Sequence, residues 1–402
     1  MKVIRVLKSS YPIDIMFLMT FCYIVPFVDS VNGFMVLAEG VQVRTGNIGQ
    51  LFKACILIFG WCFCENKKLR VVFIGAYMTI IEFIGFLFHN STGYFFIGFS
   101  FAYKIVFALV IYFFTVELFA KYGRYNILVI FRNSALLYAL IFFSSVVLGF
   151  SYPTYQGNYF ATKGPFASGN GLSIYLGAMS LIGLYLFFLS GKKHDFPLSF
   201  LLLMATVFVG TKTALVFVSL YVLLLFYKVS YVYKLLLFAF LVVLGLSFYD
   251  LFSLLFGTIA YRFENSNSIF SFLASNRDIY VKNASSSFYI EGLYILRLFF
   301  GLGVYLSFRT VSDDIFLYDT LENDIFDIFF SYGFIGLITY VSFYLVHMLR
   351  AVKVKNFAAL ILFSTMFSVS ALFGHVLFNA MAIIPFVLSA ALTNDSPQRL
   401  YT

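Results

Sequence analysis

Long apolar stretches, broken at short intervals by polar or charged clusters, run through the whole 402-residue chain. A hydrocarbon layer about 30 Å thick is crossed by about 20 residues of apolar helix. The stretches have that length, without the strict alternation of strands. Read between charged and Gly-, Pro- or Asn-rich breaks, the pattern predicts helices over 11–31, 48–64, 71–88, 94–119, 127–150, 170–190, 196–210, 213–228, 234–256, 325–349, 357–373 and 376–392. The expected fold class is all-α: a polytopic membrane protein of about twelve transmembrane helices, with 1–402 forming a single membrane domain. One connection is long, 257–323, between the ninth and tenth helices. It contains an apolar segment, 288–303, expected to lie along the membrane surface. Loops of that length in compact proteins are usually functional.

Composition excludes a water-soluble fold. Hydrophobic residues make up 62% of the chain and charged residues 11%, against about 25% charged in soluble domains. The first apolar run follows Lys2, Arg5 and Lys8 and is not followed by a small-residue cleavage site, so an uncleaved signal-anchor helix is expected. Cys22, Cys55, Cys62 and Cys64 all fall in or at the ends of the first two predicted spans, which argues against a disulfide framework.

The net charge of +9 is mostly a topology signal. Lys67, Lys68 and Arg70, Lys121 and Arg124, Lys192 and Lys193, Lys228 and Lys234, and Arg350, Lys353 and Lys355 all occupy connections on the side of the N-terminus. The positive-inside rule makes that side cytoplasmic, and an even number of spans returns the C-terminus to it.

The charges left on or near the outer face are Lys212, Arg262, Arg277, Lys282, Arg297, Arg309, Glu322, Asp324 and Asp327. Lys212 in Gly-Thr-Lys-Thr reads either as a snorkelling lysine at a helix end or as a fixed cation facing an anion. Arg277 is either salt-bridged to Glu264 or Asp278, or one of three cations, with Lys212 and Arg262, converging on a diphosphate. Glu322, Asp324 and Asp327 open a helix, where acids suit the macrodipole. Three such groups exceed the needs of a cap, and ionisable groups at membrane depth are functional candidates, here as a general base. Glu82 and Lys104, inside adjacent spans at similar depth, are expected to pair. His89, His194, His347 and His375 lack metal-ligand spacing, so neither a metal nor a cofactor is expected. Tyr155 and Tyr159 in the 151–169 loop are candidates for stacking on sugars or for an interfacial belt.

In order and spacing these residues resemble the O-antigen polymerase (Wzy) and O-antigen ligase (WaaL) superfamily of bacterial inner membranes. The resemblance rests on Gly164-Pro165-Phe166-Ala167-Ser168-Gly169-Asn170, then Thr211-Lys212, then Ser275-Asn276-Arg277-Asp278 and Gly301-Leu302-Gly303. It ends with Glu322-Asn323-Asp324 ahead of Tyr332-Gly333-Phe334-Ile335-Gly336. Lysine stands where the family often has arginine, and Glu322 where ligases carry histidine, which resembles the polymerase branch. The resemblance implies a metal-independent, GT-C-like glycosyltransferase. It would join undecaprenyl-diphosphate-linked repeat units at the periplasmic face, with Wzz-type chain-length regulation as a possible partnership. Lys212, Arg262 and Arg277 would hold the diphosphate, Glu322 or Asp324 would activate the acceptor, and Tyr155, Tyr159, Asn170 and Asp327 would contact glycan. The alternatives are a ligase, which would use the same donor, and a polysaccharide flippase. A transporter would place its charges near the midplane beside short loops, unlike the outer-edge cluster found here.

Overall fold

A computed structural model of the chain describes residues 12–38, 48–64, 68–89, 92–154, 161–228, 294–304, 323–372 and 374–394, together with residue 321 and short pieces between 234 and 285 that include Arg277 and Asp278. The described residues form twelve helices. These are α1 (Ile13–Ala38), α2 (Ile48–Phe63), α3 (Lys68–His89), α4 (Thr92–Tyr122), α5 (Arg124–Val147), α6 (Gly169–Ser190), α7 (Asp195–Val209), α8 (Lys212–Lys228), α9 (Tyr294–Phe300), α10 (Asp324–Lys353), α11 (Phe357–Leu372) and α12 (Ala380–Leu392). Six of them, α1, α3, α4, α5, α6 and α10, are long and apolar enough to cross a membrane. A small antiparallel hairpin pairs β1 (Tyr152–Pro153) with β2 (Thr162–Gly164). Of the predicted span 234–256, all but Lys234 lies outside the described residues.

Helices α6 and α12 sit at the centre, buried along almost their whole length. Gly177 and Gly183 of α6 let Phe217 of α8 and Ser199 of α7 come against its backbone. The helices share two ends. Lys121, Arg124, Lys192, Lys193, Lys228, Arg350 and Lys353 gather at one, where α4, α6, α8 and α10 finish and α5 and α7 begin. There Arg132 of α5 pairs with the fully buried Asp195 that opens α7, and Ser190 donates to the same carboxylate at 2.7 Å. At the other end α6, α8, α10 and α12 begin.

Two boundaries move for identifiable reasons. Helix α1 continues past the expected stop at 31 because Asp29 is neutralised inside the bundle. It accepts from Lys53 at 2.6 Å and from the Tyr138 hydroxyl at 2.5 Å, while Gly33 lies against the backbone of Pro165 to Ala167. Helix α12 starts at Ala380 rather than 376. The amides of Val376 and Leu377 donate to Asp324, not into a helical ladder, and Asn379 provides the N-cap.

The apolar segment expected along the membrane surface packs on the side of the bundle, where Ile295, Leu296, Phe299 and Phe300 of its described part are exposed and 301–304 are buried. Its described part, α9 and Gly301 to Val304, packs against α3 and α10. It meets α10 near Tyr332, eight residues from the start of that helix, which at 1.5 Å per residue is about 12 Å in. Irregular backbone at such depth needs partners within the protein, and α3 and α10 supply several. The Tyr77 hydroxyl donates to the carbonyls of Phe300 (3.2 Å) and Tyr332 (2.9 Å). The Gly303 amide donates to the Ser331 carbonyl at 3.0 Å. The Val304 amide and the Tyr332 hydroxyl donate to Glu82 at 3.2 and 2.9 Å. Glu82, expected to pair with Lys104, serves the inserted backbone, and the Lys104 ammonium stands 4.5 Å from the ring centre of Phe101.

Replacing Tyr77 by phenylalanine leaves two carbonyls without this donor and is expected to cost about 1–3 kcal/mol. A thermal melt in detergent checks it, and an unshifted midpoint would exclude this role for the hydroxyl.

Candidate functional site

The first residues of α6, α8 and α12 are cross-linked through their capping side chains, and Asp324 ties the start of α10 to the turn before α12. Ser168 caps α6, accepting from the Gly171 amide at 3.0 Å, and also accepts from the side chain of Asn379 at 3.1 Å. Asn379 in turn caps α12. Thr211 accepts from the Ala214 amide at 3.1 Å and donates to Ser173 of α6 at 2.7 Å, and Ser173 lies 2.7 Å from Thr213. These bonds fix Lys212, half-buried at the first position of α8, beside the first turn of α6. Asn323 caps α10 and donates to the Ala371 carbonyl. The cap side chains accept from several of the first amides, and each N-terminus still carries about half a positive charge that favours an anion nearby.

Arg277 reaches the same place. It is 5% exposed, and a Cβ built on Gly374 would stand 3.8 Å from its Nη2 and 3.9 Å from Nδ2 of Asn170. Thus Arg277, Asn170 and the turn before α12 share one neighbourhood, although they lie about a hundred residues apart in the chain. The β hairpin closes one flank. Thr154 donates to the Val209 carbonyl at 2.8 Å, and Gly210, in left-handed backbone (φ 67°), lies against Ala161.

Asp324 and Asp327, expected as an acceptor base and a glycan contact, are both buried. Asp324 is fully buried and accepts from Ser370 (2.8 Å) and from the amides of Val376 and Leu377 (both 2.9 Å). Asp327 is 1% exposed and accepts from the amides of Leu321 (2.8 Å) and Asn323 (3.1 Å). Each carboxylate anchors a turn. Glu322, Arg262, Tyr155 and Tyr159 lie outside the described residues.

Two residues that the sequence did not single out belong to this end. His375 stands between the anchors, with Nδ1 3.3 Å from Asp324 and 3.4 Å from Asp327. The three side chains offer ligand atoms within 4.8 Å of one another, enough to bracket a small ion. Their carboxylates, however, already accept five hydrogen bonds from protein amides and a hydroxyl, so the cluster fits a clamp better than a metal centre. Lys163 of β2 is half-buried, donates to the Ala167 carbonyl at 3.2 Å, and has its pKa lowered by burial. Its signal was its place in the loop ahead of Gly164 to Asn170. His375 had no local signal, because its partners lie about fifty residues away.

No known protein family matches the chain, and no curated protein matches it.

Proposed function

We propose that this chain is a glycosyltransferase of the bacterial inner membrane. In this reading it polymerises undecaprenyl-diphosphate-linked oligosaccharide repeat units into O-antigen or a similar surface polysaccharide at the periplasmic face. The observation that carries the reading is the meeting of Arg277 and Asn170 among four helix N-termini at one end of an apolar bundle. That arrangement suits a lipid diphosphate: the isoprenoid lies among apolar helices while the anion meets fixed cations and amide dipoles at the rim. The basic residues at the opposite end support placing the site away from the cytoplasm, with both termini cytoplasmic.

Transfer breaks the bond between the anomeric carbon and the diphosphate, and charge grows on the departing oxygen. Arg277, with a planar fork matched to phosphate oxygens, and Lys212 stabilise that charge where it develops. Neither has to be recruited, because Arg277 is already buried and Lys212 is set by the Ser173, Thr211 and Thr213 bonds. Asn170 and the amides at the start of α6 orient the same group.

The test is Arg277→Ala in the native host. Polymerisation is expected to fall about 10²–10³-fold, the effect of removing one preorganised donor to a developing anion, leaving single repeat units on lipid A-core. Chains of normal length stranded on the carrier lipid would point to a ligase instead, and an unchanged ladder would sink the assignment. In isolated membranes, a chelator is expected to leave the rate unchanged.

A further inference from the structure

We propose that His375 is the group that takes the proton from the acceptor hydroxyl, held for that task by Asp324 and Asp327; the proposal rests on the glycosyl-transfer reading above. Nδ1 faces two carboxylate oxygens, at 3.3 Å on Asp324 and 3.4 Å on Asp327. The Asp324 carboxylate accepts from Ser370 and two backbone amides, as an ionised group does, so the hydrogen of the neutral ring is assigned to Nδ1 beside it and the lone pair to Nε2. The orientation is fixed on both sides. The same Asp324 carboxylate binds the Val376 and Leu377 amides next to the histidine, and Phe378 meets the ring edge-on at 5.8 Å.

Exposure separates the members of this trio. The carboxyl side chains are 0% and 1% exposed, whereas that of His375 is 18% exposed. The imidazole is therefore the one member that a substrate can reach, and the aspartates act through it. Its chain neighbour is Gly374, the residue beside Arg277 Nη2 and Asn170 Nδ2. A base thus follows directly on the turn that borders the diphosphate-binding groups, as transfer requires.

In the step, a lone pair of the acceptor oxygen forms the new bond to the anomeric carbon. The bond from that carbon to the diphosphate breaks, its electron pair leaving on the diphosphate oxygen. The hydroxyl proton passes to Nε2, and the imidazolium, stabilised by the Asp324 carboxylate, later returns it to water. Asp324 and Asp327 are positioning residues.

His375→Asn is the informative variant, because its amide can still donate to Asp324 from near the Nδ1 position while no ring nitrogen remains. In isolated membranes of the native host, which contain the endogenous lipid-linked units, polymer formation by H375N is expected to fall about 10²–10⁴-fold, the usual worth of a general base. Binding of undecaprenyl diphosphate to the purified variant is expected to stay at the wild-type level. In H375A, added imidazole is expected to restore part of the rate, which a structural role would not allow. Wild-type polymerisation by H375N overturns the proposal, as does a folded H375A that binds undecaprenyl diphosphate but gains nothing from imidazole. If membranes lacking the whole chain still polymerise, the glycosyl-transfer reading itself falls and this proposal with it. If that deletion and R277A are inactive while H375N is not, only the histidine assignment falls.

Discussion

Gly333→Ala is expected to destabilise the folded chain by about 2–6 kcal/mol, combining the cost of overpacking with that of a side chain in strained backbone. Gly333 interrupts α10 with φ 64° and ψ −165°, a conformation essentially confined to glycine. A Cβ there would lie 2.5 Å from the carbonyl carbon and oxygen of Phe299 and 2.6 Å from the Phe300 nitrogen. Those atoms are backbone at the end of α9, so no rotamer change relieves the clash. The inserted segment would have to withdraw, stripping partners from Tyr77, Glu82 and Ser331 together. Gly123→Ala is the control: it also has positive φ (77°), but nothing stands within 4 Å of its added Cβ. Thermal melts in detergent should show a far larger loss for Gly333→Ala than for Gly123→Ala. Equal losses would mean that α9 does not press on the kink.

Asp324→Ala is expected to cost on the order of 5 kcal/mol, because two backbone amides and the Ser370 hydroxyl lose a buried acceptor and each orphaned group costs about 1–3 kcal/mol. The turn carrying Gly374 and His375 loses its anchor, so undecaprenyl diphosphate binding by any surviving folded protein should weaken as well. The outcome separates two roles for this aspartate. As the acceptor base suggested by Glu322-Asn323-Asp324, its loss would leave the melting temperature intact and remove activity alone. As the anchor described here, the variant melts early. Measuring both on one preparation decides between them.

The Gly-Leu-Gly and Tyr-Gly motifs were legible as motifs but not as a contact. In the folded chain Gly301 and Gly303 lie against α10 and α3, and Gly333 lies against Phe299 and Phe300, so the two motifs are halves of one backbone crossing. Similarly, Asn170, Lys212 and Arg277 were identified by type and position, yet their neighbourhood depends on cap bonds such as Ser168 to Asn379, 211 residues apart. In the sequence Asp324 reads as an available acid near a membrane edge, because the donors that occupy it belong to Ser370 and to the turn before α12, about fifty residues away.

The sequence by itself determined that the described residues are mostly helical, and it located nearly every described helix. Span length and the positions of charged breaks are set by the cost of leaving backbone and charge unpaired in hydrocarbon, and that cost acts locally along the chain. Only the tertiary structure decided that α9 packs beside α10, that Glu82 serves inserted backbone, and that His375 meets two aspartates. Those outcomes depend on donors and acceptors from remote segments filling one another's needs inside the bundle, and no local pattern of apolar and polar residues encodes which segments will meet.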